Sequence, residues 1–254
     1  MDGLRKVFIR NCSLTKLPSN MEKLVEMTSF EVSFNNLTEF HVNVKRWEKL
    51  VKLYLMYNNI KQYNEHAMWT HPNLVSLDLG NNVGINMPDK IHLPRLSYLQ
   101  LSNIEINLDI GFSQKQFPAL IFLYINGNNL QKFPDYSLKT NLVKLGISRC
   151  QLRSLPSYLS EFSNLLYLDA RNNNITAVDA DLKVLIERNG IEAYFSGNNR
   201  LCKFEKSLDC EPLCSKTCWS KRVSNNGVCD IYCNSKACIF DGGDCVKSYH
   251  KFKT

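Results

Sequence analysis

The feature that most constrains this chain is a spacing that returns nine times. Between Leu50 and Ile60 the sequence reads L-V-K-L-Y-L-M-Y-N-N-I. Apolar residues stand at Leu50, Leu53 and Leu55, Asn58 follows three places later, and Ile60 two places after that. The same frame opens at Leu4, Met27, Leu50, Leu74, Leu96, Leu120, Leu142, Leu165 and Ile191, at intervals of 22 to 26 residues. Nine matches in phase exclude chance. The alternation at Leu53 and Leu55 puts both side chains on one face of a short strand. A single unit has nowhere to bury that face, so copies must stack on either side.

Eight places into each unit the chain carries Cys12, Asn35, Asn58, Asn82, Ile104, Asn128, Cys150, Asn173 and Asn199. An asparagine at this point can bond the backbone of its own turn and of the neighbouring unit. Only Ile104 departs from asparagine or cysteine. The pattern resembles the leucine-rich repeat family over residues 4–201. That resemblance implies an α/β solenoid, a horseshoe with a parallel β-sheet on its concave side.

The returns between strands run to 11–13 residues, room for short helical or 3₁₀ turns only. A longer helix is expected over Asp179–Arg188, and an irregular loop over 80–90, where no leucine follows Asn82 in frame. Repeat nine reads as decayed, with Tyr194 and Ser196 in places that hold leucine elsewhere. Nothing before Leu4 could cover the outer strand, so the natural N-terminus is expected to extend further.

The places one, two, four, six and seven residues after each opening point away from the interior. They bring Tyr54, Tyr57, Tyr98, Phe122, Tyr124 and Tyr167 onto one surface, with Asp78 and Asp169 among them. Aromatics rimmed by polar groups mark recognition faces, so a protein or glycan partner is expected on the concave side.

Other classes are disfavoured. The net charge of +7 sits at the two ends of the chain, without the aromatic-and-basic pattern of a nucleic-acid module. No apolar run approaches the roughly 20 residues of a membrane span. There is no H-E-x-x-H, no G-x-S-x-G and no phosphate loop, so no enzyme is expected. His41, His66, His71, His92 and His250 are scattered, and His66 and His71 read as surface residues.

After Leu201 the composition changes. Eight of the ten cysteines lie between Cys202 and Cys245. The last six are spaced C-x3-C-x10-C-x3-C-x4-C-x6-C, with N-G-V-C-D at 226–230 and D-G-G-D-C at 241–245. So short a segment needs staples in place of a core. Asp241 and Asp244 flank two glycines, which let the chain turn and bring hard oxygen donors together, a chemistry that suits calcium. Six cysteines alone allow 15 pairings. A four-cysteine zinc site at Cys214, Cys218, Cys229 and Cys233 would leave both aspartates unexplained.

Residues 214–245 resemble a Notch-type repeat (LNR), a small calcium-dependent disulfide module. The resemblance implies one Ca²⁺ held by Asn226, Asp241 and Asp244, with Asp230 as a further candidate. The family's remaining side-chain ligand falls near Val223, which cannot ligate through its side chain. The implied pairings are Cys214–Cys238, Cys218–Cys233 and Cys229–Cys245. Cys202–Cys210 is then expected to close the solenoid's end, with Cys12 and Cys150 as buried free thiols.

The expected organisation is a solenoid over 1–201, a disulfide-closed cap over 202–213, the Notch-type repeat over 214–245 and a basic tail over 246–254. Although no secretory leader is visible, the disulfides place the chain outside the cell, secreted or at the cell surface. Sequons at Asn11, Asn36 and Asn174 agree with a secreted glycoprotein. The function expected is recognition or adhesion. The alternatives are the ectodomain of a membrane receptor, or the non-catalytic part of a secreted enzyme.

Overall fold

A computed structural model describes residues 3–104, 106, 112–130, 133, 141–204 and 207–210. The chain divides into two units, Met1–Leu208 and Asp209–Thr254. In the first, nine three-residue strands form one parallel sheet: β1 (Lys6–Phe8), β2 (Ser29–Glu31), β4 (Lys52–Tyr54), β6 (Ser76–Asp78), β7 (Tyr98–Gln100), β8 (Phe122–Tyr124), β9 (Lys144–Gly146), β10 (Tyr167–Asp169) and β11 (Glu192–Tyr194). Each pairs with the strand of the next repeat. Two further strands, β3 (Glu39–Phe40) and β5 (Gln62–Tyr63), pair in parallel beside it, which the repeat pattern did not announce.

The register puts one leucine row through the middle of the sheet, from Phe30 through Leu53, Leu77, Leu99, Leu123, Leu145 and Leu168 to Ala193. These residues are buried, as is the row two places on, Val32, Leu55, Leu79, Leu101, Ile125, Ile147, Ala170 and Phe195. Burial of one such side chain stabilises by about 1.5–3 kcal/mol. At the β1 edge Leu4 and Phe8 are exposed.

The returns are short, as their length dictates. Among the described residues three are 3₁₀ turns, at Met21–Lys23, Val44–Arg46 and Ser157–Glu161. Helix α1 spans Glu65–Trp69 and starts with Asn64 accepting from the Ala67 amide. The expected long helix is α2, Ala180–Asn189, with Asp179 accepting the Asp181 amide and Gly190 left-handed at its end. Helix α3 spans Asn199–Phe204.

The asparagine ladder works as its chemistry requires. Asn128 Oδ1 accepts from the amides of Ile104 and Ile106, and Nδ2 donates to Leu101 O and Ile125 O. Asn35, Asn58, Asn82 and Asn173 likewise link to the repeat before. Cys150 keeps part of the pattern, its thiol donating to Ile125 O at 3.2 Å. Ile104 offers no carboxamide to the repeat before it, and that repeat holds the irregular 80–90 loop, which nonetheless buries Ile85 and Met87.

Four expectations are corrected. Repeat nine does not decay: Tyr167 pairs with Glu192 and Leu168 with Ala193, so Ala193 and Phe195 fill the leucine places. Its ladder residue is Asn198, which accepts from the Ile175 amide and donates to Ala170 O, whereas Asn199 opens α3. Cys12 is exposed, with its thiol turned to Arg10 O of its own repeat. His71 is buried, with Nε2 on Trp47 O and Nδ1 accepting from the Asn73 amide, and burial lowers its pKa.

Candidate binding face

Pleating leaves two rows of side chains on the concave side, flanking the buried leucine row. The first runs Lys6, Ser29, Lys52, Ser76, Tyr98, Phe122, Lys144, Tyr167 and Glu192. The second runs Phe8, Glu31, Tyr54, Asp78, Gln100, Tyr124, Gly146, Asp169 and Tyr194. Seven of the eight residues read from the sequence lie in these rows: Tyr54, Asp78, Tyr98, Phe122, Tyr124, Tyr167 and Asp169.

Tyr57 is elsewhere. It lies seven places into its repeat, half exposed, and stacks on Phe34 at 4.4 Å with the rings 11° from parallel. The backbone explains its posture. That place is left-handed in all nine repeats, at Asn11, Phe34, Tyr57, Asn81, Asn103, Gly127, Arg149, Asn172 and Gly197. Glycine and asparagine tolerate it, while Phe34 and Tyr57 hold it at some cost.

Several rings of the rows pack on one another, half-buried at Tyr98, Phe122, Tyr124 and Tyr167 and buried at Tyr194. Tyr98 lies 6.5 Å from Phe122 and 5.8 Å from Tyr124, and Tyr167 lies 5.7 Å from Tyr194. Lys144 Nζ sits over two of them, 5.9 Å from Phe122 and 5.7 Å from Tyr167. Gly146 makes room for Tyr124: a Cβ there would stand 2.7 Å from its ring. Burial raises the pKa of Tyr98, Tyr124 and Tyr167, so their hydroxyls stay protonated donors at neutral pH.

Three acids share the second row. Glu31 is bridged by Arg10, with Arg10 Nη2 2.6 Å from Oε2. Asp169 is gripped by Arg171 through two bonds of 2.7 Å, and Arg171 also lies 5.5 Å from the Tyr194 ring. Among the described residues Asp78 accepts only the Gly80 amide, at 3.0 Å. Burial pushes its carboxyl up to about 7, opposed by that bond and assisted by Glu31. The sequence reading missed Arg10, Glu31, Lys144, Arg171 and Tyr194. Arg10, Glu31, Lys144 and Arg171 stand in outward places of the repeat frame, which was the signal for them, while Tyr194 is outward only in the corrected frame of repeat nine.

The C-terminal ligand candidates Asn226, Asp230, Asp241 and Asp244 lie outside the described residues, as do Cys214, Cys218, Cys229, Cys233, Cys238 and Cys245. Cys202 and Cys210 are each disulfide-bonded. Among the described residues no helix is long and apolar enough to cross a membrane. The sequon residues Asn11, Asn36 and Asn174 are all exposed.

Comparison with known proteins agrees with this architecture. A leucine rich repeat family model matches residues 25–83, and an LNR domain model matches residues 209–246. The chain is a leucine-rich repeat solenoid that carries an LNR domain toward its C-terminal end. It is 27% identical over 194 residues to human Toll-like receptor 2, covering 66% of this chain and 24% of that protein. It is 26% identical over 233 residues to the transforming growth factor beta activator LRRC33 of Danio rerio, covering 76% of this chain and 33% of that protein. The chain thus spans a quarter to a third of these relatives' length. Among solved structures, the functional domain of InlJ from Listeria monocytogenes superposes with a TM-score of 0.61 at 20% identity, covering 79% of this chain and 43% of that one. A Leptospira interrogans leucine-rich repeat protein gives 0.59 at 19% identity, covering 78% and 55%.

Proposed function

We propose that this leucine-rich repeat chain is an extracellular, non-enzymatic recognition protein that binds a protein partner on its concave face. The observation that carries this reading is the row of rings at Tyr98, Phe122, Tyr124, Tyr167 and Tyr194, joined by Lys144 and Arg171. Rings held by their neighbours lose little freedom on binding, and their hydroxyls and flanking charges give orientation. A glycan would use the same rings by stacking. A screen of extracellular proteins and glycans against the wild type and a Tyr98→Ala/Tyr124→Ala/Tyr167→Ala variant tests it. A partner weakened at least tenfold by the variant supports the reading; partners that bind both chains equally contradict it.

A receptor ectodomain is the second reading. It is favoured by the Toll-like receptor likeness and by the chain's spanning only part of such relatives.

The LNR domain, in this reading, is a disulfide module with one Ca²⁺. Asn226, Asp241 and Asp244 supply hard oxygens, and Asp230 stands close in sequence. The bridges are Cys214–Cys238, Cys218–Cys233 and Cys229–Cys245, with Cys202–Cys210 at the solenoid's end. Calcium stabilises the fold of this segment, and the disulfides suit an oxidising compartment outside the cell. Calorimetric titration of the full chain is expected to find one calcium site that Asp241→Ala abolishes. Ten free thiols in the denatured chain would contradict the module.

A further inference from the structure

Asp78 and Asp169 occupy the same place in their repeats and are buried alike, at 7% and 6% exposure. Burial of a carboxylate is tolerated when a cation meets it. Asp169 has its cation two residues on, where Arg171 grips both oxygens. Glu31, 1% exposed, has its cation from the same outward place of the preceding repeat, Arg10. Around Asp78 those two places hold Gly80 and Met56. Neither carries charge, and Lys52 on the neighbouring strand forms no ion pair with Asp78.

The seat is also open. Oδ1 accepts the Gly80 amide, while Oδ2 accepts no hydrogen bond among the described residues. Asp78 as a whole keeps 7% of its surface exposed, on the concave side. Gly80 keeps the approach clear, since a Cβ there would crowd Asp78 Oδ1 at 3.3 Å and stand 3.4 Å from Gln100 Cγ and Ser102 O. Tyr54 pairs with Asp78 in register, and Tyr98 stands two places before Gln100, its other partner. A planar cation at Asp78 would have the Tyr54 ring on the neighbouring strand to lie against.

We propose that Asp78 anchors an arginine supplied by the protein partner, which takes the seat that Arg171 fills for Asp169 from within the chain. This rests on the concave-face reading and names the chemistry of its central contact. The two acids already satisfied in this row both chose arginine, whose fork matches a carboxylate bidentately.

The test is an amide NMR titration of the full chain with acetyl-Gly-Arg-Gly-amide, beside the same peptide carrying leucine or glutamate. The arginine peptide is expected to shift the Gly80 amide, which reports on the carboxylate, and to leave the Arg171 amide unmoved. Asp78→Asn removes the charge while its amide oxygen can still take the Gly80 bond. Gly80→Arg fills the seat from within. Each is expected to weaken the peptide at least tenfold. Equal shifts with leucine, or an unchanged response in Asp78→Asn, overturn the proposal. The wider reading fails separately. A recovered partner lost on the triple tyrosine variant yet bound fully by Asp78→Asn overturns the anchor alone. A partner indifferent to the triple variant overturns the concave-face reading.

Discussion

Asp169 and Asp78 stand at the same place in the concave sheet and are buried alike, and the difference that sets their charge partners lies two places further on, at Arg171 and Gly80. At Arg171 the chain closes its own charge account, and the acid becomes part of the scaffold. At Gly80 it leaves the acid without a cation, and burial holds the carboxyl near neutrality. One fold position can therefore serve structure in one repeat and recognition in another. Which role it takes depends on a neighbour, not on the acid itself.

The sharpest way to break this comparison is Arg171→Ala. The pair is buried, at 12% and 8% side-chain exposure. Its loss leaves Asp169 as Asp78 already is, at an expected cost of about 3–5 kcal/mol in denaturant unfolding. A cost under about 1 kcal/mol would mean that Asp169 never needed its partner.

Asp78→Asn should act in the opposite direction, and with pH. The folded-state pKa of Asp78 is raised from 3.8 to about 7. Protonation is thus easier in the folded chain than in the unfolded one. The native state binds the extra proton between about pH 4 and 7, so Asp78 costs stability as pH rises through that window. At pH 8 the Asn variant should gain up to about 4 kcal/mol, and below pH 4 the gain should vanish. Thermal melts across pH 3.5–8 check both sign and window.

A third prediction concerns the ladder that holds both regions in register. Asn198→Ala removes bonds to Ile175 and Ala170 and should cost about 1–3 kcal/mol. Asn199→Ala should be near neutral. Smallest is Gly80→Arg, which imports the Arg171 solution into the Asp78 repeat. The new ion pair should contribute up to about 1 kcal/mol at pH 8, less the crowding of the added Cβ against Asp78 Oδ1 at 3.3 Å, and nothing below pH 4.

Much of the fold was legible because the decisive interactions recur with the period of the chain. Leucine rows and asparagine ladders repeat every 22 to 25 residues, and each repeat confirms the last. The frame slipped by one in repeat nine because Ile191 imitates an opening residue. The better signal was Gly197-Asn198, which matches Gly127-Asn128 in the left-handed place and the ladder. His71 was misread because return residues bury without period, here against Trp47 O of the preceding return. The rows of the candidate face were legible in position. Their ion pairs were less so, because Arg10 meets Glu31 across 21 residues while Arg171 meets Asp169 across two. No single spacing describes both. In the LNR segment, spacing revealed the kind of module, but pairing and ligation depend on how a short chain crosses itself.

The most direct measurement is the pKa of the Asp78 side chain, from a carboxyl ¹³C NMR titration of the full chain. The account expects a value near 7, reflecting a buried carboxylate that the chain leaves without a cation. A value in the ordinary aspartate range, about 4, would contradict it. Asp78 would then be solvated or already paired, and the difference between the two regions would carry no consequence for recognition.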